Sequence, residues 1–268
     1  MPPSPVTPPV CLTIAGSDCS AGAGIQADLK TFSAMGVYGL TAVTCVVAEV
    51  PGRVSSIQSV DPAILADQLR LLFEAFPIHA VKTGMLYSAD LIEVVASALG
   101  ALPHERQPKL VVDPVMVATS GDVLIARDAI EAYSSRLFPM AELITPNLDE
   151  LRVLTGSRVR NWNELKSAAE QLSQKLAVNL LAKGSHLGGD EARDILVTPN
   201  GSVEFCAPFV RGVSTHGTGC TLSAGITAGL AKGRLLVDAV RDAKSFVSNA
   251  IRKICRWGKI DALNHHQF

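Results

Sequence analysis

Short apolar runs alternate with longer segments of helical periodicity along most of the chain, and this alternation constrains the fold more than any other feature. The apolar runs have the length of β-strands and lie near residues 10–15, 40–47, 80–83, 110–112, 143–145 and 180–183. The helical segments between them begin near residues 25, 61, 88, 126 and 163. Such alternation is typical of a central, mostly parallel sheet with helices on both faces. The sequence therefore predicts an α/β fold of that architecture.

The C-terminal third of the chain continues the pattern with a hairpin and two helices. Residues 195–197 and 203–206 flank the turn sequence Pro199-Asn200-Gly201-Ser202, which predicts a β-hairpin. Helices are expected over residues 217–231 and 236–256. No internal repeat or linker interrupts the pattern, so we expect one domain.

Length and composition are consistent with one large domain preceded by a short tail. The chain has 268 residues, of which 48% are hydrophobic, enough for a sizeable core. Residues 1–9 are rich in proline and lack both a basic start and an apolar run. We therefore expect a disordered tail rather than a signal peptide, with the domain covering residues 10–268.

Charge and cysteine usage narrow the partners and the compartment. The net charge is −1, and acidic and basic residues are mixed without a basic stripe, which argues against a nucleic-acid or membrane surface. Two uncharged stretches, residues 31–48 and 212–231, are interrupted by glycines and hydroxyl residues, so we expect buried segments rather than membrane spans. The six cysteines form no CxxC pair, which argues against a zinc site. Reduced thiols in a cytoplasmic protein explain most of them.

The stretch Ser214-Thr-His-Gly-Thr-Gly-Cys220 carries the strongest sign of chemistry, because it precedes a helical segment of small residues. Glycines allow close backbone approach, and a helix N-terminus presents N–H groups and partial positive charge to an anion. We expect Gly217, Thr218 and Gly219 to bind phosphoryl oxygens. Cys220 would lie at the edge of that site with a lowered thiol pKa and act as a base toward a substrate hydroxyl. The alternative is a glycine-rich helix start that packs a cysteine.

Two carboxylates and a lysine follow separate apolar strands. Ligand sites in open α/β sheets lie beyond the carboxyl ends of strands. Asp113 and Glu150 are therefore candidates for holding Mg²⁺ beside ATP phosphates, directly or through water. Lys183 is a candidate for neutralising charge on the transferred phosphoryl group. The alternatives are a capping box between Asn147 and Glu150, and a merely solvated Lys183.

The loop after the first strand offers a rival interpretation. Residues 22–27, Gly-Ala-Gly-Ile-Gln-Ala, match the G-x-G-x-x-G/A fingerprint of dinucleotide-binding proteins, and Glu49 ends the second strand. This pattern predicts an NAD-dependent oxidoreductase. However, the loop that begins at Gly16 is long for the tight turn of that fingerprint, and an NAD site would leave residues 214–220 without a role.

Six segments form an ordered set that is specific to one family. They are IAGSDCSAGAGIQADLKTF, VKTGM, VVDPVM followed by SGD, ITPNLDE, AKGSH and THGTGCTLSAGI. From about residue 10 to its end, the chain resembles the hydroxymethylpyrimidine and phosphomethylpyrimidine kinases. The resemblance implies a ribokinase-like fold, ATP and Mg²⁺ as cofactors and a homodimer. It also implies phosphorylation of 4-amino-5-hydroxymethyl-2-methylpyrimidine, and then of its monophosphate, in thiamine biosynthesis.

The resemblance also implies roles for individual residues. Cys220 matches the family's catalytic residue, and Lys183 matches its phosphate-binding lysine. Asp113 and Glu150 match the metal-associated acids, and residues 217–219 match the anion hole. The positions that match substrate-pocket residues are Gly16, Asp28, Glu49, Met85 and Val115.

Glu49 matches the position that recognises the aminopyrimidine. A carboxylate accepts a hydrogen bond from an exocyclic amine, and pyridoxal lacks that amine. Glu49 therefore favours the pyrimidine over pyridoxal, although pyridoxal kinases of the same fold remain the nearest alternative. A non-catalytic pyrimidine sensor and a hydrolase that uses His216 with Cys220 are more distant alternatives.

The chain departs from the family pattern at a few positions. Cys19 stands where proline is usual, Ala21 where glycine is usual, and Thr119 where many members have lysine. Residues 50–53, after Glu49, also differ from the usual sequence. We expect Ala21 to stiffen a loop that fits the substrate.

Overall fold

The computed structural model describes residues 6–116 and 127–266. The strands of its main sheet are β1 (Val10–Asp18), β2 (Tyr38–Val50), β3 (Arg53–Ser59), β4 (Ile78–Thr83), β5 (Lys109–Val112), β6 (Leu143–Ile144), β7 (Leu180–Lys183), β8 (Glu191–Thr198) and β9 (Gly201–Pro208). The helices are α1 (Gly24–Ala34), α2 (Pro62–Ala75), α3 (Ala89–Gly100), α4 (Arg127–Ala132), α5 (Leu148–Thr155), α6 (Trp162–Leu176), α7 (Thr218–Ala231) and α8 (Leu236–Arg252). A separate two-stranded ribbon consists of β10 (Cys255–Trp257) and β11 (Ile260–Ala262).

The strand order of the main sheet is β3-β2-β1-β4-β5-β6-β7-β8-β9. Six neighbouring strands of this order, β2, β1, β4, β5, β6 and β7, pair in parallel. The outer strands β3, β8 and β9 pair antiparallel. The predicted α/β fold with a mostly parallel sheet is therefore confirmed. Since parallel strands share one direction, the residues that follow β1, β4, β5, β6 and β7 meet at a single carboxyl edge.

Alternating side chains of β1, β4, β5, β6 and β7 enter the hydrophobic clusters on the two sheet faces. On β1, Leu12 packs in a cluster with Leu65 of α2 and side chains of α3, α5 and α6. Its neighbour Cys11 packs on the opposite face with Phe32 of α1 and Ala224 of α7. Because strand side chains alternate between faces, apolar residues at consecutive positions require helices on both sides. The predicted flanking by helices on both faces is confirmed.

The local signals for helix and hairpin ends agree with the structure in most places. Asp61 caps α2, accepting the Ala63 N–H at 2.8 Å, with Pro62 at the first helical position. β8 and β9 form the predicted hairpin. The helix predicted over residues 126–137 is instead α4 followed by a π-helical turn, Tyr133–Leu137. The helix predicted to reach residue 256 ends at Arg252, before β10.

A hairpin that the sequence did not predict joins β2 to β3 at one edge of the main sheet. β3 runs back along β2, with Val50 opposite Arg53 and Cys45 opposite Ser59. Side chains of this hairpin, Glu49 and Val54 among them, line the cavity described below. The edge of the sheet therefore contributes to the wall of that cavity.

The N-terminal tail is described only in part, because residues 1–5 lie outside the described residues. Val6 is 88% exposed, whereas the Pro9 carbonyl accepts the Tyr38 N–H at 2.8 Å and joins the tail to the start of β2. Within residues 6–116 and 127–266, no helix combines the length and the apolar character needed to cross a membrane.

Helix α7 lies close to α8 because its facing residues are glycines. A Cβ atom added at Gly229 would lie 2.8 Å from Ala239 Cβ, and one at Gly225 would lie 2.9 Å from Ala243 Cβ. Both distances are shorter than van der Waals contact allows, so the two helix backbones approach through these positions. This close packing fixes α7, whose N-terminus forms part of the candidate site.

We predict that Gly229→Ala lowers the free energy of unfolding, by about 1–3 kcal/mol, because overpacking outweighs the gain of about 1 kcal/mol in helix propensity. Chemical denaturation measures the change. Gly100→Ala in α3 is the matched control, since its Cβ would lie 3.8 Å from Met140 Cε, an ordinary contact. The control should leave stability unchanged or raise it. Equal stabilisation by both substitutions would contradict the close α7–α8 packing.

Candidate active site

A cavity of about 930 Å³ opens at the carboxyl edge of the parallel strands. Its wall includes most of the residues that the sequence singled out: Gly16, Glu49, Met85, Asp113, Val115, Glu150, Lys183, Gly217, Thr218, Gly219 and Cys220. The structure thus brings together residues more than 200 positions apart in the chain. Asp28 is the one predicted site residue that does not line this cavity.

Asp113, just after β5, is the centre of a buried hydrogen-bond network. Lys183 Nζ at the end of β7 lies 2.8 Å from Asp113 Oδ1, and Thr145 donates to the same oxygen at 3.0 Å. Ser223 of α7 donates to Asp113 Oδ2 at 3.1 Å. Burial alone would raise the pKa of Asp113, but Lys183 and Lys82 outweigh it and lower that pKa. The pair fixes a lysine ammonium at the sheet edge, and the lysine is not merely solvated.

The start of α7 lies directly beside this pair. A Cβ atom added at Gly219 would lie 3.4 Å from Lys183 Nζ and 3.7 Å from Asp113 Oδ2. No side chain caps the helix. The Thr218 N–H donates to the Thr215 carbonyl at 3.2 Å, whereas the Gly219 and Cys220 N–H groups have no backbone or side-chain oxygen acceptor among the described residues and are available to a ligand. Helix-start amides and a lysine ammonium therefore converge on one region of the cavity, which is suited to binding an anion.

The loop that follows β1 packs backbone to backbone against the start of α7. Gly217 has φ +81°, and a Cβ atom there would lie 1.8 Å from the Gly22 carbonyl oxygen. Gly24 has φ +57°, and its Cβ would lie 2.4 Å from the Gly16 carbonyl oxygen. Only glycine satisfies both the positive φ and these contacts. The N-termini of α1 and α7 are consequently held next to each other.

These contacts remove the basis for the dinucleotide fingerprint. The space beside Gly24 is filled by the Gly16 carbonyl, and a Cβ atom at Gly22 would lie 2.6 Å from His216 Cδ2. In a dinucleotide site the glycines leave room for the pyrophosphate. Here they leave room for the protein's own chain, so an NAD site at residues 22–27 is not supported.

The Cys220 thiol is half-buried between the two helix starts. Burial raises its pKa to about 11, although Lys82 lowers it and the Gly24 N–H donates toward the sulfur. The expected lowering of this pKa by the helix N-terminus is therefore wrong, because desolvation of a thiolate outweighs the nearby positive charge. At neutral pH, without ligand, Cys220 is a thiol.

Asp28 lies beneath the cavity instead of lining it. Lys82 Nζ lies 2.8 Å from Asp28 Oδ2 and 3.0 Å from Oδ1, and both side chains are fully buried. Thr13 also donates to Asp28 at 2.6 Å. Burial works against the ammonium form, but Asp28 raises the pKa of Lys82 above its usual value. The expected contact between Asp28 and substrate is replaced by an ion pair with Lys82, which itself reaches the cavity wall.

Glu150 combines the two roles that the sequence left open. It forms the predicted capping box of α5, accepting the Asn147 N–H at 2.8 Å. It also lines the cavity. Burial raises the pKa of Glu150 to about 8, an effect that Lys183 opposes and Asp113 reinforces. A carboxyl group in this state becomes ionised when further positive charge enters the site.

The carboxylates fit Mg²⁺ as ligands through water. Both oxygens of Asp113 already accept hydrogen bonds, from Lys183, Thr145 and Ser223. In the described part of the chain, no group of three or more His, Cys, Asp or Glu side chains is arranged to hold a metal. Mg²⁺ retains several waters and combines one or two carboxylates with substrate phosphates, which matches oxygen ligands such as Asp113 and Glu150.

The rest of the cavity divides into two parts. One part contains the predicted substrate residues Gly16, Glu49, Met85 and Val115. The pKa of Glu49 is raised, first by burial and then by Asp18. The other part comes from the end of β9 and the segment after it and from α7 and α8, and its apolar residues are Pro208, Phe209, Val210, Leu222, Val247 and Ile251; the Lys244–Asp194 ion pair also lines the cavity. Sequence reasoning did not identify this second part, because its residues come from separate elements and carry no motif.

The three single-residue departures from the family pattern, Cys19, Ala21 and Thr119, differ in what the structure shows of them. Ala21 has φ +58°, the left-handed region that favours glycine, so the alanine holds the loop in a strained conformation. Cys19 is exposed, and its sulfur lies 3.1 Å from the Glu49 carbonyl oxygen. Thr119 lies outside the described residues, as does the SGD segment at residues 120–122.

Residues 18–264 match the protein-family model described as phosphomethylpyrimidine kinase. The chain belongs to this family. The hydroxymethylpyrimidine/phosphomethylpyrimidine kinase of Streptomyces coelicolor is 43% identical over 250 residues, 93% of this chain and 91% of that protein. The thiamine biosynthesis bifunctional protein ThiED of Geobacter sulfurreducens is 43% identical over 90% of this chain, and the chain spans 49% of its length.

Solved structures agree with membership of the phosphomethylpyrimidine kinase family and with the predicted ribokinase-like fold. The phosphomethylpyrimidine kinase of Clostridium difficile is 39% identical, with a TM-score of 0.78 over 90% of this chain and 99% of that one. The ADP complex of Bacillus subtilis pyridoxal kinase is 34% identical, with a TM-score of 0.88 over 97% of this chain and 98% of that one.

We predict that Asp28→Asn lowers the free energy of unfolding by about 3–5 kcal/mol, because it leaves the buried Lys82 ammonium without a counter-charge. Urea denaturation measures the loss. Glu74→Gln is the matched control, since it removes a carboxylate from an ion pair with Arg70 whose side chains are 63% and 55% exposed. The control should show no measurable change. An Asp28→Asn protein as stable as the control would refute the buried ion pair.

Proposed function

We propose that this chain transfers the γ-phosphoryl group of ATP to the hydroxyl of 4-amino-5-hydroxymethyl-2-methylpyrimidine, and then to the monophosphate that results, in thiamine biosynthesis. The observation that carries the proposal is that the α7 start, the Lys183–Asp113 pair and Glu49 line one cavity. Membership of the phosphomethylpyrimidine kinase family supports the same substrates.

Recognition of the acceptor is assigned to the part of the cavity around Glu49. Its carboxylate accepts a hydrogen bond from the exocyclic amine of the pyrimidine. Within the described residues, no side-chain hydrogen bond of the protein occupies this carboxylate. Gly16, Met85 and Val115 shape the adjoining wall. The apolar residues of the cavity at and after the end of β9 and on α7 and α8 are suited to the adenine ring of ATP.

The transfer itself depends on positioning and on charge neutralisation. The amides of residues 217–220 receive the oxygens of the γ-phosphoryl group, and Lys183 neutralises negative charge as the group moves in line toward the acceptor. Both groups are fixed in advance, because Lys183 is paired with Asp113 and α7 is packed against α8. Asp113 and Glu150 would hold Mg²⁺ through water, and the ion would further neutralise phosphate charge.

Cys220 is assigned to the acceptor hydroxyl, next to the same amides. Since its pKa is about 11, it acts as a thiol that orients the hydroxyl and not as a thiolate prepared in advance. A loose phosphoryl-transfer transition state requires little early proton removal, so orientation is sufficient for this role.

Pyridoxal phosphorylation is the second candidate. The observation that favours it is the TM-score of 0.88 with Bacillus subtilis pyridoxal kinase, compared with 0.78 for the phosphomethylpyrimidine kinase of Clostridium difficile. Sequence identity ranks the two in the opposite order, at 34% and 39%. The position of Glu49 supports the pyrimidine, because pyridoxal has no amine for this carboxylate to bind.

The proposal extends to the assembly and the compartment. Family resemblance supports a homodimer. Free cysteines support a reducing, cytoplasmic location.

An assay that couples ADP release to a spectroscopic signal tests the proposed acceptor. We expect phosphorylation of hydroxymethylpyrimidine and of its monophosphate, with kcat/KM at least about 100-fold above that for pyridoxal. Glu49→Leu should lower kcat/KM for the pyrimidine and leave the value for pyridoxal nearly unchanged. A preference of the wild-type protein for pyridoxal would overturn the proposed substrate.

A further inference from the structure

His216 lies immediately before the start of α7 and lines the cavity. Its side chain is only 13% exposed, and its Nε2 atom lies 3.0 Å from Asp18 Oδ2. The ring also contacts Gly22, where no Cβ atom fits. Among the described residues, Nδ1 has no hydrogen-bond partner. One ring nitrogen is therefore anchored, while the other remains available to a ligand.

Asp18 is held as a carboxylate beneath this ring. It accepts the N–H groups of Ser20, Gly22 and Ala23 and the Ser20 hydroxyl at 2.7–3.1 Å. Burial raises the pKa of Asp18, but these bonds and the bond to His216 outweigh it and hold the pKa well below the usual value. A fixed negative charge consequently lies against His216.

This charge favours the imidazolium form of His216. The hydrogen bond to Asp18 raises the pKa of His216, burial opposes the shift, and the charge of Glu49, another residue of the cavity wall, adds to it. In the imidazolium both ring nitrogens carry hydrogen, so Nδ1 becomes a charged donor. Asp18 and Glu49 alone would repel an anionic substrate, and the charge on His216 reduces that repulsion.

Most other cations of the described cavity wall are neutralised by a carboxylate. The pairs are Lys82 with Asp28, Lys183 with Asp113, Lys244 with Asp194 and Arg152 with Asp149. Arg53 is the exception in the described residues, but it lies at the exposed turn of the β2–β3 hairpin. His216 is paired with Asp18 in the same way, but that pairing uses only Nε2, and the residue directly precedes Gly217, the first of the amides assigned to phosphoryl binding.

We propose that His216 determines the use of the second acceptor by donating its Nδ1–H to the phosphate of hydroxymethylpyrimidine monophosphate. The inference rests on the proposed function. The first acceptor has no phosphate, whereas the second brings one. Because the α7 amides receive the incoming γ-phosphoryl group in both transfers, the phosphate of the second acceptor lies between those amides and the pyrimidine site around Gly16 and Glu49. His216, which precedes Gly217 and is bonded to Asp18 at the end of β1, lines the same cavity. The residue therefore matters for the second phosphorylation and much less for the first.

The test compares the two acceptors in separate assays with His216→Gln. Glutamine keeps an amide donor near the position of Nε2, for Asp18, but removes both the charge and the Nδ1 donor. We expect KM for the monophosphate to rise about tenfold to a hundredfold, the range for loss of a charge-assisted hydrogen bond. KM for hydroxymethylpyrimidine should stay within about twofold of the wild-type value. His104→Gln, an exposed histidine in the turn His104–Arg106, should change neither acceptor.

Three results would overturn the inference. An equal rise in KM for both acceptors in His216→Gln would show that the ring has only a packing role. If KM for the monophosphate rose in Arg53→Gln but not in His216→Gln, the phosphate would be bound by the β2–β3 hairpin instead. Wild-type protein that phosphorylates neither acceptor would overturn the proposed function and this inference with it.

A measurement on the wild-type protein keeps the proposal testable if the variant does not fold. Imidazole NMR signals of His216 should shift when the monophosphate is added without nucleotide, and the ring pKa should rise. Unphosphorylated hydroxymethylpyrimidine should leave that pKa unchanged. Identical effects of the two compounds would contradict the contact between His216 and phosphate.

Discussion

The backbone contact between Gly217 and Gly22 is the constraint on which the rest of the site depends. A Cβ atom at Gly217 would lie 1.8 Å from the Gly22 carbonyl oxygen, so the loop after β1 and the start of α7 touch without side chains between them. This contact places the N-termini of α1 and α7 side by side. It also sets where Cys220 and His216 lie, because each is within three residues of Gly217.

Buried charge at the sheet edge is compensated pair by pair. Lys183 is held by Asp113, and Lys82 is held by Asp28. Such pairs do not necessarily stabilise a fold, since desolvation costs as much as their attraction gains. Their value here is positional, because each fixes a cation at the edge where the strands end. Phosphate charge then meets groups that are already oriented, which is the main requirement of phosphoryl transfer.

The sequence predicted what local periodicity and single motifs determine. The parallel strands, the cap at Asp61 and the capping box at Glu150 follow from residues close together in the chain. Prediction from the sequence failed where the residue that determines the outcome is distant in the chain. The burial of Asp28 depends on Lys82, 54 positions away, and the raised pKa of Cys220 depends on packing around the thiol. Local sequence carries no signal for either, since desolvation is a property of the assembled core.

The central claim is that the amides at the start of α7 receive the γ-phosphoryl group beside Lys183. A crystal structure of the protein with a non-hydrolysable ATP analogue, Mg²⁺ and hydroxymethylpyrimidine tests it most directly. The account predicts γ-phosphate oxygens about 3 Å from the N–H groups of residues 217–220, with the acceptor hydroxyl next to Cys220. A γ-phosphate bound elsewhere in the cavity, with these amides facing only solvent, would contradict it.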